Sequence, residues 1–285
     1  MKRVRTYIHH LHMPDLVAHS TKRIVRSFRD NVQLGTLLAF IAGNINSIAF
    51  VHFGTYVSHV SGHATRAAIN YAEGEFTSAF LFLLEFGAFI FGAGITAFLL
   101  KGHTAASSLI KYTTPIFLEL FLVLVYMISA VLNSRQLFTS PYFSHLTFLL
   151  AIAMGIQNAM LRQASGFSVR TTHMTGVATD FGFELGAAVR LFCDVLLVRH
   201  STVLARLKAA GRAFLHRLGV SRFFFHGFII FSFSSGALVG TLGYLLYQDF
   251  ALTIPIVTLL LIGIREYRRK LEVKAQPSPT SPAIA

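Results

Sequence analysis

Charged residues are scarce in this sequence. Asp, Glu, Lys and Arg make up 13% of its 285 residues, whereas soluble domains usually contain about 25%. Apolar residues account for 54% of the chain, and phenylalanine alone occurs 28 times. This composition predicts an integral membrane protein and argues against a soluble domain.

Cysteine is nearly absent as well. Cys193 is the only one in the chain, which excludes an intramolecular disulfide and a metal cluster held by cysteines. We interpret Cys193 as a small buried hydrophobic residue, because a lone cysteine among apolar neighbours is more often packed than redox-active.

The common catalytic signatures are missing too. The sequence has no Gly-x-Ser-x-Gly elbow, no HExxH-type zinc motif, no phosphate-binding loop and no dinucleotide fingerprint. His59 and His63 have the i, i+4 spacing of a metal-binding helix, but no acidic residue accompanies them at ligand spacing. We therefore expect neither an enzyme nor a resident metal or cofactor.

Long apolar runs are abundant. A helix needs about 20 mostly apolar residues to cross a bilayer. Five runs meet this need, and a shorter sixth becomes adequate when Phe250 and Ala251 are included; the six are 34–53, 76–100, 114–132, 143–161, 223–246 and 252–264. We expect no cleavable signal peptide before them, because the first 32 residues are polar and basic. We predict an all-α membrane protein with six transmembrane helices.

Positive charge is distributed unevenly between the two sides of these spans. The net charge is +13 with histidine neutral. If the N-terminus is cytoplasmic, all 25 Lys and Arg residues except Arg66 and Arg135 also lie on the cytoplasmic side. This bias predicts a bacterial inner-membrane protein with both termini inside. The basic surface would contact anionic inner-leaflet lipids, and nucleic acid is not an expected partner.

The chain divides into four segments by composition. A basic N-terminal tail occupies 1–32, two membrane segments occupy 33–133 and 143–267, and a polar tail predicted to be disordered occupies 268–285. Within the second membrane segment, residues 190–222 alternate basic and apolar side chains. This insertion is typical of an amphipathic helix on the inner leaflet.

The two membrane segments share an internal repeat. The first octet, 58–65, reads Ser-His-Val-Ser-Gly-His-Ala-Thr, and the second octet, 172–179, reads Thr-His-Met-Thr-Gly-Val-Ala-Thr. Upstream, Asn46 and Asn158 occupy equivalent positions. Because each half contains three spans, the second half must enter the membrane from the opposite side. We predict two inverted three-helix repeats, each with an extra short re-entrant helix, at 58–71 and 172–192.

The octets have two possible roles. Ser58 and Thr172 are predicted helix N-caps, and such helix starts expose free N–H groups at the positive end of the helix dipole. Broken helices of this kind hold ions or anionic groups in transporters. Alternatively, the small residues allow close packing while the hydroxyl and histidine groups form hydrogen bonds between helices. The sequence leaves both interpretations open.

Other polar residues lie inside predicted spans, where they are costly and often functional. Glu85 is a candidate proton or cation site, with Arg66 or a nearby histidine as its partner. Asp180 occupies the position equivalent to Arg66, which suggests a salt bridge between the halves. The candidate path residues are Asn44, Asn46, Ser58, His59, Ser61, Thr65, Glu85, Asn158, Thr172, His173, Thr175, Thr179 and Asp180.

Four short stretches resemble a known family. They are Ala-Gly-Asn-Ile-Asn-Ser at 42–47, Ser-His-Val-Ser-Gly at 58–62, Gly-Ile-Gln-Asn-Ala at 155–159 and Val-Arg-Thr-Thr-His-Met-Thr-Gly at 169–176. Together they are similar to the YoaK-like family of bacterial membrane proteins, over residues 34–264. The resemblance implies a multi-span membrane protein and no particular substrate. The basic insertion 190–222 and His63 depart from the family pattern.

The favoured function is that of a small secondary transporter or channel-like permease for an unknown small solute or ion. The alternative is a non-transporting membrane scaffold or stress-related interaction protein, and assembly of identical chains is also open. Transport predicts that the polar groups of both octets face one hydrated cavity. A scaffold predicts separate, satisfied contacts between helices.

Overall fold

The protein is described by a computed structural model for residues 13–100, 112–137, 146–165, 172–197, 202–217 and 222–275. Regular structure in these ranges is entirely helical, which confirms the all-α prediction. The helices are α1 (Met13–Phe53), α2 (Val60–Ala72), α3 (Phe76–Leu100), α4 (Thr113–Ser134), α5 (Thr147–Ser165), α6 (Met174–Leu196), α7 (Val203–Arg217), α8 (Arg222–Tyr247) and α9 (Thr253–Ala275). A 3-10 turn, Gln248–Leu252, joins the last two.

Several helices have the length and composition of membrane spans. Within the described ranges these segments are Val32–Phe53, Phe76–Leu100, Thr113–Ser134 and the 47-residue Phe223–Arg269, which contains most of α8 and α9. Thr147–Arg162 is a shorter apolar helix. By contrast, the 13 residues of α2 extend only about 20 Å at 1.5 Å per residue. That length is too short to cross a hydrocarbon core about 30 Å thick.

Some boundaries differ from those predicted. Helix α1 begins at Met13, so most of the predicted basic tail is a helical extension of the first span. Helix α9 continues to Ala275, inside the segment predicted to be disordered, because residues 268–272 (Arg-Arg-Lys-Leu-Glu) are good helix formers. Cys193 is exposed rather than buried. The predictions for 1–12, 101–111, 143–145, 166–171 and 276–285 lie outside the described residues.

Two helix crossings bring backbones into direct contact. Helix α1 packs on α8, and α3 packs on α5. In the first crossing, a Cβ atom at Gly43 would overlap the Phe233 carbonyl oxygen, and one at Gly236 would overlap that of Phe40. Only glycine fits at such positions, and close approach of backbones is a common way to pack membrane helices.

The second crossing has the same arrangement. A Cβ atom at Gly92 would overlap the Ile152 carbonyl oxygen, and one at Gly155 would overlap that of Phe89. In addition, the Thr96 hydroxyl donates to the Ile156 carbonyl oxygen at 3.2 Å. The α3–α5 pair is therefore held by backbone contacts and by a hydrogen bond between helices.

Helices α2 and α6 pack against these pairs. Helix α2 packs along α3 after a turn at Gly74, whose φ of +82° favours glycine. Helix α6 packs on α8 and on α7, and the stacked rings of Phe181 and Phe223, with centroids 4.5 Å apart, lie at its contact with α8. The main apolar core lies between α1, α4, α5 and α9; it includes Leu38, Ile41, Ile45, Ile116, Val123, Tyr126, Met154 and Leu259.

Candidate functional site

The first octet is hydrogen-bonded to α1 through one asparagine, Asn46. The Ser58 backbone N–H donates to Asn46 Oδ1 at 3.2 Å, and the Asn46 amide donates to the Ser58 hydroxyl at 2.8 Å. The same amide also donates to the Ala42 carbonyl oxygen at 2.8 Å. Asn46 precedes the end of α1 at Phe53 by seven residues, or about 10 Å. After α1 ends, the chain therefore folds back to a level inside the span.

The second octet is fastened to α5 in the same way. The Thr172 backbone N–H donates to Asn158 Oδ1 at 3.1 Å, and the Asn158 amide donates to the Thr172 hydroxyl at 2.6 Å. That amide also donates to the Met154 carbonyl oxygen at 2.8 Å. Asn158 also lies seven residues before the end of its helix, Ser165. Both asparagines are buried, and each bonds to the octet of its own half.

The predicted helix caps are wrong by one residue. Helix α2 begins at Val60 with His59 as its N-cap, and α6 begins at Met174 with His173 as its N-cap. Neither histidine side chain forms a capping hydrogen bond. The hydroxyl groups of Ser58 and Thr172 cannot serve as caps because they bond to Asn46 and Asn158 instead.

Both octets line one cavity, with a volume of about 710 Å³. The predicted path residues on its wall are Ser58, His59, Ser61, Asn158, Thr172, His173 and Thr175. The sequence did not assign the polar side chains of Thr55, Tyr56, His63 and Arg66 to this wall, and Val60, Phe89, Ile90 and Met174 supply apolar surface. Two segments more than 110 residues apart in the chain therefore face each other across a shared space.

The remaining candidate residues do not line the cavity. The Thr65 and Thr179 hydroxyls donate to the carbonyl oxygens of Ser61 and Thr175 in their own helices, at 2.9 and 2.8 Å. Asp180 is exposed. Asn44 is fully buried, and neither atom of its amide has a hydrogen-bond partner within the described part of the chain.

Glu85 lies directly behind the cavity wall. Its side chain is buried in α3, where Oε1 accepts a hydrogen bond from the Thr147 hydroxyl of α5. Its Oε2 lies 2.9 Å from Nδ1 of His63 on α2. A nearby histidine was expected as the partner of Glu85, and His63 is that residue. No sequence signal pointed to Thr147, because a single threonine at the start of an apolar run is common.

Arg66 does not pair with Asp180. Its guanidinium group lies over the Phe82 ring, 5.5 Å from the centroid, and Nη1 donates to the Gly54 carbonyl oxygen at 3.4 Å. No ion pair joins Arg66 to Asp180 in the portion of the chain that the structure describes. The proposed salt bridge between halves is therefore not present, because Arg66 faces the cavity and the aromatic ring instead.

The cavity wall is electropositive. Among the described residues that line it, Arg66, His59, His63 and His173 are basic and none is acidic. Arg66 supplies the fixed positive charge of this wall.

Comparison with known proteins assigns the chain to a family. Residues 34–264 match the family described as "Protein of unknown function (DUF1275)". The chain belongs to the DUF1275 family. It is also similar to a UPF0700 transmembrane protein of Rhizobium meliloti (strain 1021), with 29% identity over 168 residues that cover 58% of this chain and 67% of the relative. No solved structure matches the chain significantly. The DUF1275 assignment agrees with a multi-pass membrane protein.

This DUF1275 chain has further polar pairs that the sequence did not reveal. His226 Nδ1 on α8 lies 3.6 Å from Glu184 Oε2 on α6, and His52 Nδ1 lies 3.5 Å from Asp249 Oδ1. At one end of the helices, Arg269 of α9 pairs with Asp30 of α1. Each pair joins residues that are far apart in sequence, so spacing along the chain gives no indication of them.

Proposed function

We propose that this protein is a small permease, a secondary transporter or channel whose path passes through the cavity between the octets. The observation that supports this most strongly is the shared wall, where polar residues of both octets face one space of about 710 Å³. Polar groups at this depth are costly unless protein or water surrounds them. A cavity filled with water, open in turn to each side, provides that environment.

The proposal includes an inverted repeat of two three-helix units, with six spans in all. Its support is the duplication of contacts within the chain. Asn46 binds Ser58 as Asn158 binds Thr172, and the glycine crossing of α1 with α8 matches that of α5 with α3. Positions 40 and 43 correspond to 152 and 155 in these crossings. Common ancestry of the two halves explains this correspondence better than chance does.

In this arrangement α2 and the first part of α6 act as half-helices that begin inside the membrane and run toward opposite faces. Their first N–H groups have no partner within the helix, and the helix dipole gives each start a partial positive charge. The two starts, at His59 and His173, both line the cavity. Discontinuous helices that meet in this way form the binding sites of many secondary transporters.

The positive-charge bias supports an orientation with both termini in the cytoplasm of a bacterial inner membrane. The basic helix α7 would then lie on anionic inner-leaflet lipids. On the resemblance described above, we also propose that the chain lies in the YoaK-like branch of its family and has no enzymatic activity. Its solute is a small molecule or ion.

A non-transporting scaffold is the second candidate. It is favoured by the buried amides of Asn46 and Asn158, which are hydrogen-bonded as a purely structural role requires. It does not account for the polar wall, where Ser61, His173 and Thr175 are exposed to an open space.

Thiol accessibility in oriented membranes tests the permease proposal. In a Cys193→Ser background, Ser61→Cys and Thr175→Cys place a single thiol on each side of the cavity. We expect a small membrane-impermeant thiosulfonate to label both. A matched control, Phe98→Cys, places the thiol on α3 at a side chain that is 85% exposed and faces lipid in this proposal; it should not react.

The permease and the non-transporting scaffold predict different labelling in this experiment. If a membrane-permeant maleimide labels positions 61 and 175 but the impermeant reagent reaches neither from either side, the cavity is dry and the permease proposal fails. Labelling of only one of the two positions by the impermeant reagent would contradict a cavity shared by both octets.

A further inference from the structure

We infer that the cavity binds a small inorganic anion, held between the starts of α2 and α6. The inference deepens the permease proposal, because it names the solute class for the same cavity. It rests on the charge of the wall, on the two helix starts and on one buried histidine, each of which is an independent property of the structure.

The charge of the wall favours an anion over a cation. Arg66 lines the cavity, while acidic side chains are absent from the lining residues that the structure describes. Glu85 lies behind His63, and its two oxygens face Thr147 and His63. A cation in the cavity would therefore meet fixed positive charge without a carboxylate to balance it. An anion would meet Arg66 directly.

The helix starts add directed hydrogen-bond donors. Free N–H groups at a helix N-terminus bind anions well, because they combine hydrogen bonding with the positive end of the dipole. Here two such starts face the same space from opposite halves. The hydroxyls of Ser61 and Thr175, in the first turns of α2 and α6, offer further donors at the wall.

His63 is the observation that points to a ligand independently. Its side chain is only 3% exposed, and Nε2 has no hydrogen-bond partner within the described ranges. Nδ1 lies beside Glu85, and the two ring nitrogens of imidazole point in widely different directions. Nε2 is therefore directed away from Glu85, and His63 contributes to the lining of the cavity. A buried polar nitrogen without a partner is costly. When both ring nitrogens of His63 carry protons, Nδ1 faces Glu85 and Nε2 can donate to an anion, which would remove that cost.

The size of the cavity fits a hydrated or polyatomic anion. The volume of about 710 Å³ is far larger than one water molecule's share of the liquid, about 30 Å³. Chloride, nitrate, sulfate or phosphate would fit with part of its hydration shell. The apolar side chains of Val60, Phe89, Ile90 and Met174 complete the wall.

Anion-dependent thermal stability of the purified full-length protein in detergent tests this inference. Sodium chloride, nitrate, sulfate and phosphate are each titrated against sodium gluconate at constant ionic strength. We expect a saturable increase in Tm with at least one of them. Exchanging sodium for potassium should have no effect.

Variants locate the site. Arg66→Gln should weaken the apparent anion affinity about tenfold or more, because a charge-assisted hydrogen bond is lost, whereas Arg66→Lys should retain most of it. Arg66 is exposed, so its replacement should not unfold the chain. The matched control, Arg135→Gln, removes an exposed arginine at the end of α4, outside the cavity, and should leave the affinity unchanged.

Two results would overturn the inference. One is the absence of a saturable response to all four anions, and the other is an equal loss of response in Arg66→Gln and Arg135→Gln. Flux into proteoliposomes separates this inference from the permease proposal. Saturable binding at Arg66 without flux leaves the anion site and removes the permease. Cation flux that anions and Arg66→Gln do not affect leaves the permease and removes the anion site.

Discussion

Asn158 holds Thr172 by two hydrogen bonds, one from the Thr172 backbone N–H at 3.1 Å and one to its hydroxyl at 2.6 Å. They are fourteen positions apart in the sequence, and α5 ends between them at Ser165. One amide therefore fixes the start of α6 beside α5, and Asn46 fixes the start of α2 beside α1.

Replacing either asparagine should lower stability. Asn46→Ala or Asn158→Ala leaves a backbone N–H and a hydroxyl without their buried partner, which should cost about 1–3 kcal/mol. Asn70→Ala is the matched control, since that amide donates to the Arg66 carbonyl oxygen within its own helix; it should cost less than about 0.5 kcal/mol. Thermal unfolding in detergent measures the difference. Equal shifts in Tm for all three variants would refute the assigned role.

The glycine crossings predict that alanine substitutions at two nearby positions of α3, Gly92 and Gly94, differ strongly in their effect on stability. Gly92→Ala forces a methyl group against the Ile152 carbonyl and should destabilise the protein by about 1–3 kcal/mol. A methyl group at Gly94 would meet open space, with no neighbouring element within 4 Å in the described part of the chain. Gly94→Ala should therefore be neutral or stabilise the helix by up to about 1 kcal/mol. Tm values for both variants test this, and similar values would mean that α3 and α5 are not so close.

Alanine substitutions at the two octet glycines, Gly62 and Gly176, should also have different effects on thiol labelling. A Cβ at Gly176 would lie 2.5 Å from Nδ1 and 2.7 Å from Cε1 of His173, whereas one at Gly62 would meet only His59 Cβ, at 3.8 Å. Gly176→Ala must therefore displace the His173 ring on the cavity wall. We expect several-fold slower labelling in Thr175→Cys when Gly176→Ala is added. Adding Gly62→Ala to Ser61→Cys should leave its labelling rate unchanged, and an equal effect in both halves would contradict this geometry.

The buried carboxylate of Glu85 should contribute more to the stability of the protein than an exposed carboxylate does. Glu85→Ala removes the partner of both Thr147 and His63 and should cost about 3 kcal/mol. Glu85→Gln keeps a hydrogen-bond acceptor and should cost less. Glu73→Ala, at the exposed end of α2, should change the free energy of unfolding by less than about 0.5 kcal/mol. Chemical denaturation can rank the three variants, and a tolerated Glu85→Ala would show that the pair contributes little.

The contact between α1 and α9 can be tested by exchanging charges. Asp30→Arg places like charges beside Arg269 and Arg265 and should lower stability by about 0.5–1 kcal/mol, since the pair is partly exposed. Adding Arg269→Asp should recover part of that loss at low salt, with the recovery shrinking at high salt. An additive effect of the two substitutions would show that the residues do not interact.

The all-helical class and the membrane spans were accessible from the sequence, because long apolar runs are local signals. The pairing of Asn46 with the first octet was not predicted, although the sequence shows that both belong to the repeat. The helix caps were missed by one residue because the hydroxyls of Ser58 and Thr172 accept hydrogen bonds from the side-chain amides of Asn46 and Asn158. Sequence spacing cannot rank such competing partners.

The long-range contacts were not predictable. Small residues were expected to permit packing, but nothing in the sequence indicates which glycine faces which carbonyl. Thr147 lies 62 residues from Glu85, and Arg66 was assigned to Asp180 by repeat equivalence alone. Only the three-dimensional arrangement shows that Arg66 instead faces the cavity and Phe82.

The glycine crossings divide the helices into two stiff pairs, α1 with α8 and α3 with α5, since backbones in contact cannot slide without separating. Helices α2 and α6 each contact both pairs. Helix α2 starts at Asn46 on the first pair and lies along the second, and α6 starts at Asn158 on the second pair and lies along the first. Helices α2 and α6 therefore each connect the two pairs. In the permease proposed above, a rotation of one pair against the other would move both helices, and with them both walls of the cavity, at the same time.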